Sequence, residues 1–245
     1  MGEKKWDTAE GILLRDCSEK MGIALSEEQI EQFMAYLSLL LEWNEKMNLT
    51  AITDRREVVL KHFADCLGLL PALEWKPGME VIDVGTGAGF PGLPVKIAKP
   101  EVQMTLLDSL QKRIGFLEEV IDVLGLEGVA CVHSRAEDGG QNPFYRERYD
   151  LCVSRAVANL AVLAEYCLPF VKVGGQLAAL KGPDAWAEAE QAKTALEKLG
   201  GRLIGIQDVA IPFTELSHKL VLIEKIAPTP AQYPRKAGKI SKKPL

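Results

Sequence analysis

The chain has no apolar run of the roughly 18 residues that a bilayer-spanning helix needs, although its 47% hydrophobic content is ordinary for a globular protein. No membrane span is expected. The N-terminus, Met1-Gly2-Glu3-Lys4-Lys5-Trp6-Asp7, lacks the apolar core of a signal peptide. Cysteines are few, odd in number and far apart: Cys17, Cys66, Cys131, Cys152 and Cys167. That scatter argues against a disulfide framework and against a zinc site, so a reducing cytoplasm and no metal are expected. Cys131 and Cys152 fall inside apolar strand patterns and read as small packing hydrophobes. An excess of positive charge is missing too. The net charge of −5 speaks against a generally basic nucleic-acid binder. No internal repeat is visible.

What is present is a glycine cluster at the end of a buried strand. Met79 to Val84 is a short apolar run. Gly85-Thr86-Gly87-Ala88-Gly89-Phe90-Pro91-Gly92 follows, with Pro91 suited to the first turn of a helix. Strand, glycine turn and helix start form the layout of a nucleotide-cofactor loop. Gly87-x-Gly89-x-x-Gly92 fits the dinucleotide fingerprint, but the first glycine after the strand is Gly85. Asp83-x-Gly85-x-Gly87-x-Gly89 fits better the first motif of S-adenosylmethionine-dependent methyltransferases. That cofactor carries an ammonium and a sulfonium rather than a phosphate, and an acid at a strand tip suits a cation. The bland alternative is a glycine-rich structural turn.

The next strand, Val102 to Leu107, ends in Asp108-Ser109-Leu110. An acid there is placed to accept hydrogen bonds from ribose hydroxyls, as in NAD enzymes, so Asp108 supports an adenosine cofactor without naming it. Asp108 or Ser109 could instead simply cap a helix over Leu110–Leu124. Strands Val129–His133 and Tyr149–Ser154 follow, then Gly175–Lys181, Arg202–Val209 and Lys219–Ile226, for a count of seven with the last antiparallel. Helices are expected over Asn159–Phe170 and from a cap at Asp184 to Leu199. Ligands in such sheets lie beyond the carboxyl ends of the strands. The motif reading therefore puts Ala136 and Glu137, in the loop after the third strand, beside the adenine. It puts Arg155 and Lys181, after the fourth and fifth strands, at the site of transfer.

Residues 1–75 read as all-helical. Asp7-x-x-Glu10, Ser26-x-x-Gln29 and Asp54-x-x-Glu57 are capping-box patterns. Ile30, Phe33, Met34, Leu37, Leu40, Leu41 and Met47 keep a helical period, and a further helix is suggested by Val58, Val59, Phe63, Leu67 and Leu70. The expected result is a helical cap beside the sheet. Asn44, Asn48, Leu49, Thr50 and Lys61-His62-Phe63-Ala64-Asp65 are cleft candidates, although Asn48 and Thr50 could merely turn the chain and His62 could be structural. At the other end, Lys225, Arg235, Lys236, Lys239, Lys242 and Lys243 lie among no acidic residues, with Pro228, Pro230, Pro234, Gly238 and Pro244 opposing a regular helix. That stretch reads as an extended basic arm for phosphates, with a solubilising tail as its bland alternative.

Taken together, Glu42-Trp43-Asn44-x-x-x-Asn48-Leu49-Thr50, Asp83 to Pro94, Asp108-Ser109-Leu110-x-Lys112-Arg113, Ser154-Arg155-Ala156, Leu180-Lys181-Gly182 and Tyr233-Pro234-Arg235-Lys236 resemble the RsmG family, also called GidB. The resemblance runs from about residue 25 to the tail. It implies a cytoplasmic enzyme that moves a methyl group from S-adenosylmethionine to N7 of a guanine in 16S ribosomal RNA. It also implies an α/β fold, a Rossmann-like seven-stranded class I methyltransferase sheet with an N-terminal helical cap. The organisation then expected is a cap over 1–75, a cofactor domain over 76–227 and a basic arm over 228–245, in a monomer that works on 16S ribosomal RNA or the small subunit. By resemblance the cofactor contacts are Gly85, Phe90, Ala136, Glu137 and Arg155. Asp83, Gly87, Gly89 and Asp108-Ser109-Leu110 join them on the loop and ribose arguments, and Arg235, Lys236 and Lys239 are RNA contacts. Two other readings stay open, a methyltransferase of a small molecule and an NAD-binding Rossmann protein.

Overall fold

The computed structural model describes residues 6–155 and 158–245. Ala156, from the Ser154-Arg155-Ala156 motif, lies outside the described residues. The seven strands are β1 (Glu80–Val84), β2 (Gln103–Asp108), β3 (Val129–His133), β4 (Tyr149–Arg155), β5 (Val171–Lys181), β6 (Gly201–Ala210) and β7 (Ser217–Lys225). They form one sheet in the order β3-β2-β1-β4-β5-β7-β6. The first five pair in parallel, and β7 runs antiparallel between β5 and β6. The sequence count and the antiparallel last strand both appear. The order reverses beside β1, so the ends of β1 and β4 diverge into a crevice, the usual place for a ligand.

The central strands are apolar on both faces because helices cover both. On one face Val81, Leu106 and Val153 pack with α5 (Gly92–Ala98) and α6 (Gln111–Leu124), and with Leu14, Phe33, Tyr36 and Leu40 of the N-terminal helices α1 (Ala9–Lys20) and α2 (Glu27–Lys46). The cap thus shares one continuous core with the sheet. On the other face Ile82, Val84 and Cys152 pack with α8 (Leu160–Cys167), α9 (Ala185–Gln191) and α10 (Lys193–Leu199). The short α7 (Ala136–Gly139) follows β3.

The capping patterns fared unevenly. Ser26 and Gln29 make a full capping box on α2. Asp54 accepts the Glu57 amide at the start of a helix that continues through α3 (Arg55–Val58), a π-helical Val59–Ala64 and α4 (Asp65–Leu67). Asp7 does not cap α1; its neighbour Thr8 does, taking the Gly11 amide. Asp184 sits at the N-cap of α9 but makes no side-chain capping bond, and the expected single helix to Leu199 breaks at Ala192 into α9 and α10.

The tail overturns the extended arm. Glu165 of α8 is fully buried, and Arg235 neutralises it with its amide (2.9 Å), Nε (2.8 Å) and Nη2 (2.6 Å). Arg146 gathers the carbonyls of Gly140, Tyr233 and Thr229 at 2.7–2.8 Å. Ile240 is wholly buried on α11 (Ala237–Lys242). Pro234 and Pro244 bracket this helix rather than interrupt it. Lys225 is also interior, with Nζ on the Leu168 carbonyl and the Thr229 hydroxyl. Two of the six tail cations are therefore structural, and Lys236, Lys239, Lys242 and Lys243 remain exposed. Removing one partner of a buried ion pair strands the other charge. Arg235→Met should lower stability by about 3–5 kcal/mol, seen as a fall in the urea midpoint at constant slope. Adding Glu165→Gln should recover part of that loss; an unchanged midpoint in the single variant would mean the tail is not anchored here.

Candidate functional site

A cavity of about 530 Å³ opens at the carboxyl end of β1, bounded by the tips of β2, β3 and β4 and by the cap. Its sheet-side wall is the turn Val84-Gly85-Thr86-Gly87-Ala88. Asp83 shapes that turn from behind. Its Oδ2 accepts the Thr86 hydroxyl (2.7 Å) and the Gly92 amide (2.8 Å), tying both ends of the loop to the strand. Asp83 is fully buried and does not line the cavity, so it holds the loop rather than meeting a ligand. Burial pushes its carboxyl up to about 7, against the downward pull of Thr86 and Gly92. From above, the Tyr36 hydroxyl donates to the Ala88 carbonyl, so α2 also fixes the turn.

The three alternate glycines divide by role. Gly85 and Gly87 line the cavity with φ of +74° and +61°. A Cβ on Gly87 would meet nothing within 4 Å, so the turn leaves open space on its ligand side. Gly89 does not line the cavity. A Cβ there would lie 2.4 Å from Leu93 and 2.7 Å from the Tyr36 hydroxyl, which makes it a packing glycine.

At the tip of β2, Asp108 lines the cavity but is already engaged. Its Oδ1 accepts the Leu110 amide (2.9 Å); its Oδ2 accepts the Gly87 amide (2.9 Å) and faces Arg113 at 3.3 Å. It joins the first and second strand tips, and Oδ1 keeps a lone pair. The α6 helix begins at Gln111 with no side-chain cap from Ser109. Ser109 lines the cavity, whereas Leu110 is half exposed and does not. Beyond β3, Ala136 and Glu137 line the far end with Ser134, Arg135 and Tyr166.

The near end is built around Arg155. Its Nη1 donates to Asp65 Oδ2 (3.0 Å) and the Lys61 carbonyl (3.1 Å), Nη2 lies 3.2 Å from His62 Nδ1, and the guanidinium lies over the Phe90 ring at 4.8 Å. Asp65 is fully buried, and its other oxygen takes His218 of β7 at 2.5 Å. The hydrogen bond that His218 donates to Asp65 raises the His218 pKa. His62 shares the cavity wall with Leu49 and Thr50, its Nε2 2.8 Å from the Thr50 hydroxyl. Asn44 accepts the amides of Leu49 (2.8 Å) and Thr50 (2.9 Å), which sets this loop. Lys181 stands apart. Its Nζ reaches the Ala158 carbonyl (2.5 Å) and Glu188 (2.7 Å), and Glu188 accepts the Leu160 amide. It braces the segment after β4 and does not line the cavity.

The sheet contacts were legible as motifs. Arg113 was named in the motif after β2 without a site role, Ser134 and Arg135 adjoin the predicted Ala136, and Tyr166 and the Asp65–His218 pairing were missed. No local spacing marks residues that meet only across the fold.

Burial, reinforced by the Arg155 charge, holds His62 down at about 4 from its usual 6.5. Between those values the unfolded chain binds a proton that the folded chain refuses, so this residue's share of stability is lost as pH falls through the window. Asp83 works the other way, but equally in any His62 variant. His62→Gln should therefore close its stability deficit against the native protein between pH 7 and pH 5 in urea titrations. A deficit constant over that range would show that His62 keeps its ordinary pKa.

Comparison with known proteins agrees with this geometry. The GidB family model, described as rRNA small subunit methyltransferase G, matches residues 29–216. A protein named Ribosomal RNA small subunit methyltransferase G from Clostridium perfringens is 52% identical over 233 residues, covering 95% of this chain and 98% of the relative. One of the same name from Acetivibrio thermocellus is also 52% identical, over 95% and 96%. Among solved structures, the YcgJ protein from Bacillus subtilis matches with a TM-score of 0.52 at 14% identity, over 68% of this chain and all of that one. TYW2 from M. jannaschii, in complex with AdoMet, matches at 0.51 and 17% identity, over 65% and 74%. These two share the fold. The match over most of the chain and the identity to the relatives show more, and the chain belongs to the GidB family of small-subunit rRNA methyltransferases.

Proposed function

We propose that the protein transfers a methyl group from S-adenosylmethionine to N7 of a guanine in 16S ribosomal RNA. The observation that carries this is the Gly85–Ala88 turn, stapled by Asp83 and Asp108, opening on a cavity that the cap closes on its other side. The cavity suits that cofactor because Gly87 leaves its ligand side open, Asp108 Oδ1 retains an acceptor site at the ribose position, and Glu137 faces the end where an adenine would lie. When bound, the cofactor supplies a methyl group on a sulfonium. Guanine N7 carries a lone pair and no proton, so no residue has to remove one. The protein's task is orientation. Gly85 and Gly87 shape the cofactor bed, Arg155 and Phe90 form its inner end, and Lys181 positions the segment after β4 through Ala158 and Glu188. No group of three or more metal-ligating side chains occurs among the described residues. No helix there is long and apolar enough to cross a membrane.

The RNA partner is supported by Lys236, Lys239, Lys242 and Lys243, which stay exposed, whereas Arg235 is committed to Glu165. The tail thus offers phosphates a docked basic helix. The protein should place labelled methyl from S-adenosylmethionine into 16S ribosomal RNA, and nucleoside digestion should yield 7-methylguanosine. A thermal shift with NAD but none with S-adenosylhomocysteine would sink this reading.

Three variants follow. Gly85→Val puts a branched side chain at a positive φ against the cavity; calorimetry should show cofactor binding lost from a folded protein. Lys181→Met should cut turnover at least tenfold while leaving cofactor affinity unchanged, and near-normal turnover would remove it from the site. Replacing Lys236 and Lys239 with Gln should flatten the log–log salt dependence of RNA binding by about 0.7–0.9 for each phosphate left without its lysine. Parallel lines for variant and native protein would show that neither lysine meets phosphate.

A further inference from the structure

The residues argued above to hold the cofactor come from the strand tips, and the cap adds a second wall to the same cavity. Leu49, Thr50 and His62 come from the loop after α2 and from the π-helical segment. They face the end of the cavity marked by Phe90 and Arg155, opposite the end lined by Ala136, Glu137 and Tyr166. With ribose at Asp108 and adenine beyond β3, the methionine end of a bound cofactor would lie toward Phe90, Arg155 and this cap wall. An acceptor atom has to approach the methyl from there.

The hydrogen bonds on that wall have a direction. Arg155 can only donate, and its Nη2 lies 3.2 Å from His62 Nδ1. The Lys61 carbonyl lies 3.0 Å from Nδ1 and would take a proton from it, but that carbonyl also accepts from Arg155 Nη1 at 3.1 Å. A cationic guanidinium set against Nδ1 favours the bare nitrogen over an N–H facing an N–H. Nδ1 is then the acceptor of a neutral ring, and Nε2–H donates to the Thr50 hydroxyl oxygen at 2.8 Å. That oxygen accepts a second bond from the Ile52 amide at 3.1 Å. Both of its lone pairs are filled, and among the described residues no acceptor takes the Thr50 proton. Thr50 lines the cavity, so its O–H is a donor set at the methyl end by a chain that runs from Arg155 through His62.

We propose that the Thr50 hydroxyl, oriented by His62 and Arg155, donates to O6 of the acceptor guanine. This rests on the guanine-N7 reading above. Guanine presents two acceptors on its major-groove edge, N7 and O6. N7 must stay free to take the methyl, which leaves O6 as the neighbouring handle. Adenine presents an amino donor in the same place, and a donor facing a donor leaves both unpaired. Thr50 thereby both fixes the in-line angle at N7 and selects guanine over adenine. The neutral His62 imidazole, held down at about 4 by burial, adds no positive charge beside a product base that gains one.

The test compares native protein with Thr50→Val, which keeps the shape and loses the hydroxyl, and Thr50→Ser, which keeps the hydroxyl. Methyl transfer to 16S ribosomal RNA gives kcat/KM, calorimetry with S-adenosylhomocysteine gives cofactor affinity, and circular dichroism gives the melting temperature. The expected result is a loss of about ten- to a hundredfold in kcat/KM for Thr50→Val, recovery to within about threefold for Thr50→Ser, and cofactor affinity unchanged in both. Normal kcat/KM in Thr50→Val overturns the proposal. So does an equal loss in both variants, or a parallel loss of cofactor affinity or folding, because each assigns the loop to structure or cofactor. Native protein that forms no 7-methylguanosine would instead bring down the function on which the proposal rests, before any variant is compared.

Discussion

A single buried carboxylate ties the cap to the sheet. Asp65 sits at the start of α4 with no solvent exposure, and it meets Arg155 from β4 through one oxygen and His218 from β7 through the other. A carboxylate withdrawn from water has to be matched by charge and hydrogen bonds. Here the matching groups come from two strands that are neighbours only through β5. The cap can therefore dock in one register. That register brings Lys61 and His62 over Arg155 and sets Tyr36 against the glycine turn. The cavity depends on this pairing, because its cap wall exists only when the cap is seated.

The glycine turn is constrained in the same manner from the other side. Asp83 and Asp108 both look from sequence like groups reaching for a ligand, and both accept hydrogen bonds from the turn itself, Asp83 from the Thr86 hydroxyl and the Gly92 amide and Asp108 from the Gly87 amide. A loop with three positive-φ glycines has many conformations to lose, and two carboxylates that accept its amides confine it before any ligand arrives. Preorganisation of this kind reduces the ordering cost that binding would otherwise carry.

The sheet was readable because each strand announces itself locally. Apolar runs ending in Gly85 or Asp108 fix the strand tips, and tips define where a ligand lies. The seven strands and the cavity lining at Gly85, Gly87, Asp108, Ser109, Ala136, Glu137 and Arg155 agree with that logic, whereas the antiparallel last strand and Phe90 came from the resemblance. Side-chain roles were less readable. Periodicity assigned Gly89 to the ligand, whereas its place is filled by Leu93 and Tyr36. Charge counting made Arg235 an RNA contact, whereas a buried Glu165 seventy residues earlier claims it. Lys181 follows a strand tip as a reacting group would, yet turns to Glu188. In each case the deciding partner is distant in sequence, and composition carries no record of it.

The cap and the tail are the two segments added to the sheet, and each reaches the cavity by a different route. The cap supplies Leu49, Thr50 and His62 to one side of the cavity, and the tail packs on α8, whose Tyr166 lines the other. Solved structures that share the sheet at 14–17% identity match only 65–68% of this chain. A sheet shared so widely can bind a cofactor without choosing an acceptor. Choice has to come from what is added to it, and here the additions are the cap wall with Leu49, Thr50 and His62 and a tail whose lysines stay exposed. Arg155 links the two tasks. It lines the cavity beside Phe90 while burial, reinforced by its charge, holds His62 neutral, so one guanidinium ties the buried Asp65 of the cap to the ring that meets Thr50.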